Sequence, residues 1–268
     1  MKILIILLFI FLFENGYSQS DFDSLKKYIY PIIGIDNAAV DGASCFFVRH
    51  QKSIYLVTAK HVLSGCLNDS TKSEFFAGKH YIFLGSYLNS IKLNTTVTKK
   101  VLPCDGIDLV IWQLMDTSMS KYIYSVEDYL RPDFSDFKSI LIGGFPATGF
   151  KKNMLSSLPG VSFLHIPDKH FEILNFPDLN GNYDPNIFGI YWHGKVITKS
   201  LLDGYSGAPV FIQDRSTLKW KIAGLLSGFK NNPKDVDPLI IVDVVAILNK
   251  LDELKLLPKV QPGNIFIY

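Results

Sequence analysis

The chain reads as an all-β protein, an antiparallel barrel or sandwich with one helix near its C-terminal end. Three observations carry this. Short runs rich in β-branched and aromatic residues recur from Gly42 onward, separated by turn residues. Strands do not alternate with helical patterns, as βαβ units would require. Only the region after Asp243 repeats its apolar residues at helical spacing.

In chain order, Ala43–Arg49 and Ser53–Ala59 form a first strand pair, with His50-Gln51-Lys52 as the tight hairpin between them. Tyr81–Leu84, Ile91–Val101, Leu109–Trp112, Ser139–Ile142 and Gly189–Trp192 follow as strands. Pro209–Ile212, Trp220–Leu226 and Leu239–Val242 complete the set. Asp243 is the capping residue of a helix over 243–257, whose stripe is Val244, Val245, Ile247, Leu248, Leu251 and Leu254. Pro258 stops it. Residues 151–187, rich in Pro, Asp, Asn and aromatics, read as long surface loops, a rim around a cleft.

With 268 residues, 48% hydrophobic and 19% charged, the chain has ample material for a core and is not of disordered type. The net charge of +2 and the scattered lysines give no footprint for nucleic acid or acidic lipid. Residues 1–18 differ in kind. Lys2, the apolar run Ile3–Phe13 and the small residues Gly16 and Ser18 make a secretory signal peptide cleaved after Ser18. Cleavage removes one basic and one acidic residue, Lys2 and Glu14, so the charge stays +2. No later run reaches membrane-spanning length. The expectation is one domain over 19–268, secreted or periplasmic, with no membrane anchor after cleavage. Of three cysteines, Cys45 and Cys66 flank a histidine, and closing that loop is worth about 3 kcal/mol. Three separately buried thiols explain the same residues, and none has metal-ligand spacing.

The stretch with the strongest claim to chemistry is Asp203-Gly204-Tyr205-Ser206-Gly207-Ala208-Pro209-Val210-Phe211. Glycines on both sides of Ser206 free the backbone to turn amides toward one spot, a setting for a hydroxyl nucleophile and an oxyanion hole. His61 follows the apolar strand that ends in Thr58-Ala59, where an imidazole base could face a cleft. Asp108 directly precedes the apolar run Leu109–Trp112, so it is partly buried and needs a partner, which an imidazole N–H supplies. Asp105, beside Gly106, is a solvated turn residue. Ser206, His61 and Asp108 can form a hydroxyl–imidazole–carboxylate relay. Their order along the chain, and Ala208 where a Gly-x-Ser-x-Gly elbow ends in glycine, argue against an α/β-hydrolase.

Thr58-Ala59-Lys60-His61, Asp108-Leu109-Val110 and Gly204-Tyr205-Ser206-Gly207-Ala208-Pro209-Val210 resemble the three signatures of chymotrypsin-fold serine proteases. Ile142-Gly143-Gly144-Phe145-Pro146 resembles the Gly-x-Pro strand end of bacterial members, the HtrA-like branch included. The resemblance covers residues 40–245 and implies two antiparallel six-stranded β-barrels, the first over about 40–130 and the second over about 135–242. It implies His61 and Asp108 from the first barrel, Ser206 from the second, and an oxyanion hole from the amides of Gly204 and Ser206. Ser227-Gly228-Phe229 resembles the strand that pairs with a polypeptide substrate, and Ser200, by its offset from Ser206, the base of the first specificity pocket. That pocket would be neutral. No cofactor and no PDZ-type module is implied.

Tyr205 stands where familiar relatives place an aspartate that receives a freed N-terminal ammonium. Tyr205 cannot take that charge, so removing a few residues after Ser18 should barely change the rate. Ala208 would crowd the turn if its φ were positive.

The rival reading is a catalytically inactive trypsin-like fold that acts as a binding protein. Asp178-Leu179-Asn180-Gly181-Asn182-Tyr183-Asp184 spaces oxygen side chains as a calcium loop does, but its glycine is early and the closing glutamate is missing. His165 and His170 are a poor zinc pair, and the sequons at Asn68 and Asn94 matter only in a eukaryotic secretory pathway.

Overall fold

The computed structural model describes residues 19–36, 39–64, 80–86, 89–92, 107–114, 123–126, 137–146, 160–177, 183–229, 238–256 and 265–267. The signal-peptide interval 1–18, Cys66, Cys104, both sequon asparagines and residues 178–182 lie outside them.

A short helix, α1 (Gln19–Lys26), leads into a first group of strands: β1 (Ile29–Asp36), β2 (Ala39–His50), β3 (Ser53–Thr58), β4 (His80–Ser86), β5 (Asn89–Lys92), β6 (Val110–Gln113) and β7 (Ser125–Val126). The helix α2 (Lys60–Ser64) follows β3. The second group is β8 (Phe137–Gly144), β9 (Ser162–Pro167), β10 (Phe171–Pro177), β11 (Tyr183–Trp192), β12 (Pro209–Asp214), β13 (Trp220–Phe229) and β14 (Leu239–Asp243). The helix α3 (Lys199–Leu202) precedes β12, and α4 (Val244–Leu256) follows β14 directly. A last strand, β15 (Ile265–Ile267), returns to the first group.

Two sheets result. The first has eight strands in the order β15-β6-β3-β2-β1-β4-β5, with β7 beside β2 as a parallel pair. The second has seven, in the order β10-β11-β14-β13-β12-β8-β9. The all-β class is the one the sequence predicts, but among the described residues the two sheets have eight and seven strands where the resemblance implies two six-stranded barrels. β1 and β15 both belong to the first sheet, outside the interval 40–130. β1 escapes notice because Pro31 interrupts its apolar run, yet it pairs with β2 over its whole length, from Ile29 opposite Phe46 to Asp36 opposite Ala39.

Within 151–187, the described residues 160–177 and 183–187 are mostly strand rather than the long loops their composition suggests. β9 and β10 lie within them, and β11 begins there. β9 pairs with β8 and β10 with β11. Asp168, Lys169 and His170, polar residues that look like loop, form the turn between β9 and β10, where Lys169 takes φ 66°. Pro167 and Pro177 sit at strand ends, where a missing N–H costs least.

Each unit has its own core, and a third core joins them. Phe47, Leu56, Ile82 and Val110 fill the first sheet, and Ile142, Phe188, Val210 and Ile241 the second. Phe46, Val57, Leu109 and Ile111 of the first unit pack with Phe211, Ile222, Leu225 and Val242 of the second, and with Ile247 and Leu251 of α4. Of the stripe read from the sequence, Val244, Ile247 and Leu251 are buried in this core and Val245 and Leu248 pack against it. The cap of α4 is in place, with the Val245 amide donating to Asp243 Oδ1 at 2.7 Å.

Candidate active site

The site is built where the two units meet. β3 ends in Thr58 and Ala59, both fully buried, and the chain turns at once into α2. This places His61 at the strand end, half-buried with 16% of its side chain exposed. Asp108 arrives from the neighbouring strand. The Leu109 amide donates to the Ile107 carbonyl at 2.9 Å, a tight three-residue turn with Asp108 at its apex, just before β6 runs beside β3.

Asp108 takes three donors. His61 N donates to Oδ1 at 2.9 Å, His61 Nδ1 lies 2.8 Å from Oδ2, and Ser227 Oγ donates to Oδ2 at 2.5 Å. Burial pushes the Asp108 carboxyl pKa up, but the His61 ring, then the Ser227 hydroxyl and the His61 amide, outweigh it and hold the carboxyl below its ordinary value. An ionised carboxylate only accepts, so the proton between them sits on Nδ1 and the lone pair of the neutral ring is at Nε2.

Ser227 reaches Asp108 because of a bulge. On β13, Leu226 opposes Ile241 and Gly228 opposes Ile240, so Ser227 is the extra residue and its side chain is re-aimed. Its sequence-assigned role, pairing with substrate, did not anticipate this hydrogen bond. Gly228 opens on space, with nothing within 4 Å of where a Cβ would stand. Phe229 ends the strand, paired with Leu239.

The Ser206 turn packs against the segment that delivers His61. Gly207 has φ 80°, and a Cβ there would stand 2.2 Å from Thr58 Oγ1, 2.3 Å from Ser44 O and 3.0 Å from Ala59 N. Only glycine fits. The Gly207 amide donates to the Leu226 carbonyl at 2.8 Å, so the same turn also adjoins Ser227. Ser206 itself is half-buried. Gly204 takes φ 91°, while Ala208 is not among the residues of positive φ and replaces glycine without strain.

Tyr205 is buried, 2% exposed, with its ring against Gly144 and its hydroxyl bonded to Ser162. Burial raises its phenol pKa, so it stays neutral. Ser200 is exposed in α3, 3.0 Å from Thr198 Oγ1, a surface position rather than a closed pocket floor. Cys45 is a free cysteine, fully buried in the first core, and Cys66, the other residue of the possible bridge, lies outside the described residues. Asp184 accepts from the Asn186 amide at 2.8 Å, a local turn. His165 stacks on Phe22, ring centroids 5.3 Å apart. Among the described residues no three His, Cys, Asp or Glu side chains gather as a metal site would need.

Ser44 is the residue that sequence reading missed. It lies in the small-residue run Gly42-Ala43-Ser44, and its partners are up to 160 positions away, so no local spacing could reveal it.

No protein-family model and no curated protein matches the chain. Among solved structures it is similar to the active form of the Rv3671c protease from M. tuberculosis. That likeness has a TM-score of 0.49 and 14% identity over 90% of this chain and 85% of that one. It is also similar to the tobacco vein mottling virus protease, with a TM-score of 0.47 and 12% identity over 83% and 79% of the two chains.

Proposed function

We propose that the chain is a secreted serine endopeptidase that cleaves polypeptides through an acyl-enzyme. The observation that carries this reading is the doubly bonded His61–Asp108 pair, which orients the ring so that its neutral form carries the proton on Nδ1 and the lone pair on Nε2. In the proposed reaction, Nε2 takes the proton of Ser206 Oγ as that oxygen attacks a peptide carbonyl. The C–N bond breaks, the imidazolium returns the proton to the leaving amine, and water then releases the acyl group. Asp108 stabilises the imidazolium throughout.

The amides of Gly204 and Ser206 are the proposed oxyanion donors. In support, the Tyr205, Gly207 and Ala208 amides are spent on Leu202, Leu226 and Tyr205 carbonyls, while those of Gly204 and Ser206 have no acceptor among the described residues. Ser227, Gly228 and Phe229 would receive the substrate backbone and Ser200 would lie near its first side chain. The Gly143-Gly144-Phe145-Pro146 strand end favours the bacterial HtrA-like branch. The leader-like pattern of residues 1–18 supports a location outside the cytoplasm.

A fluorophosphonate probe tests the reading, since it labels an activated serine and ignores an ordinary one. Wild type is expected to be labelled at Ser206, with labelling abolished in Ser206→Ala and reduced by orders of magnitude in His61→Ala. An unlabelled, folded wild type would instead favour the binding-protein reading.

A further inference from the structure

Ser44 is fully buried on β2 and all four of its hydrogen-bonding positions are occupied. Its hydroxyl donates to the Gly204 carbonyl at 2.8 Å and accepts the Phe145 amide at 3.0 Å. Its amide donates to the Ser206 carbonyl at 2.9 Å, and its carbonyl accepts Thr58 Oγ1 at 2.9 Å. One residue of the first unit thus ties together the turn around Ser206, the end of β8 and the lead into His61.

The two carbonyls it holds belong to the residues whose amides are the proposed oxyanion donors. Gly204, without a Cβ and at φ 91°, has little of its own to resist a peptide flip. The Gly204 carbonyl shares its peptide with the Tyr205 amide, which is bonded to the Leu202 carbonyl, and that peptide stands between the two that carry the Gly204 and Ser206 amides, so a flip there would displace both donors. The Ser44 hydroxyl blocks the flip, and it is itself fixed by the Phe145 amide. The remaining wall is Tyr205, wedged over Gly144, where a Cβ would come within 2.6 Å of the ring and 3.0 Å of Ser44 Oγ.

We infer that Ser44 is a positioning residue, a built-in lock that keeps the Gly204–Ser206 turn in its oxyanion-binding shape without proteolytic activation. The inference deepens the peptidase reading and rests on it for its catalytic meaning, though the lock can be measured without catalysis.

The test compares full-length mature wild type, Ser44→Ala and Ser44→Cys, which is nearly isosteric and a weaker donor. Two readouts are taken, fluorophosphonate labelling kinetics and hydrogen exchange by mass spectrometry. In Ser44→Ala the maximal labelling rate should fall about tenfold or more, while the concentration for half-maximal rate moves by less than about threefold. The pH dependence of labelling should not move, because the His61–Asp108 pair is untouched. Amides of 203–208 should exchange faster while β13 and β14 stay protected. Ser44→Cys should fall between the two, and it carries the test alone should Ser44→Ala not fold.

Labelling at the wild-type rate, or unchanged exchange over 203–208, overturns the lock. A general loss of protection in a folded variant, with binding and rate falling together, overturns it as well, since that is what a merely structural residue would give. A wild type that never labels, but whose turn loosens in Ser44→Ala, removes the peptidase reading and leaves the lock standing.

Discussion

Asp108 carries three donors on two oxygens, and this decides how the molecule responds to acid. Its carboxyl is held below the ordinary value of 3.8 in the folded chain, the His61 and Ser227 bonds outweighing burial. A group whose folded pKa is depressed contributes stability that is fully present above its unfolded pKa and is lost as pH falls through the folded one. Urea unfolding from about pH 6 down to about pH 2 should therefore show wild type weakening below about pH 4 more steeply than Asp108→Asn, which has no such charge to lose. Parallel slopes would mean that the carboxylate gains nothing from the pair. The sequence made Asp108 legible because an acid directly before so apolar a strand needs a partner. It could not show the partner's full number, since Ser227 is 119 positions away and reaches Asp108 only through a bulge.

Among the elements, α1 shows how far local pattern falls short. Its residues are mostly polar, and its two apolar side chains have their partners on distant strands. The Phe22 ring lies 5.9 Å from Phe163, 5.3 Å from His165 and 5.9 Å from Trp220, and Leu25 is 7% exposed in the core shared by both units. Cleavage after Ser18 spares both residues, and removing 19–21 still spares them. Melting temperature should be unchanged by that short deletion and should drop when 19–26 are removed. Leu25→Ala alone should cost about 2–5 kcal/mol, as a buried leucine does. An unchanged melting temperature in the longer deletion would show that α1 does not hold the fold. The strands within 151–187 were hidden for a related reason. Apart from the fully buried Ile166, their apolar residues are only half-buried, and the pattern is diluted by the His, Asn and Pro between them. By contrast α4 was legible, because Val244, Val245, Ile247, Leu248 and Leu251 of its stripe all pack on one continuous core and its cap directly precedes it.

For the molecule as a whole, the shared core makes separate unfolding of the two units costly. Phe46, Val57, Leu109 and Ile111 from one side meet Phe211, Ile222, Leu225, Val242, Ile247 and Leu251 from the other, nearly all fully buried. Exposing a buried side chain of this kind costs roughly 1.5–3 kcal/mol, so parting the units costs on the order of the 5–15 kcal/mol that stabilises a typical domain. The site depends on the same junction, with His61 and Asp108 on one unit and Ser206 and Ser227 on the other. The units should thus unfold in one transition, and reactivity at Ser206 should vanish with it. Trp112 reports on the first sheet and Trp192 on the second. Two variants, each retaining only one of these tryptophans, should give coincident urea midpoints by fluorescence once corrected for their own stabilities by circular dichroism. If the Trp112 and Trp192 midpoints, corrected in this way, still differed between the two variants, the junction would be an ordinary domain contact. Coincidence, together with loss of labelling at that midpoint, would mean that the core joining the units is also what assembles the site.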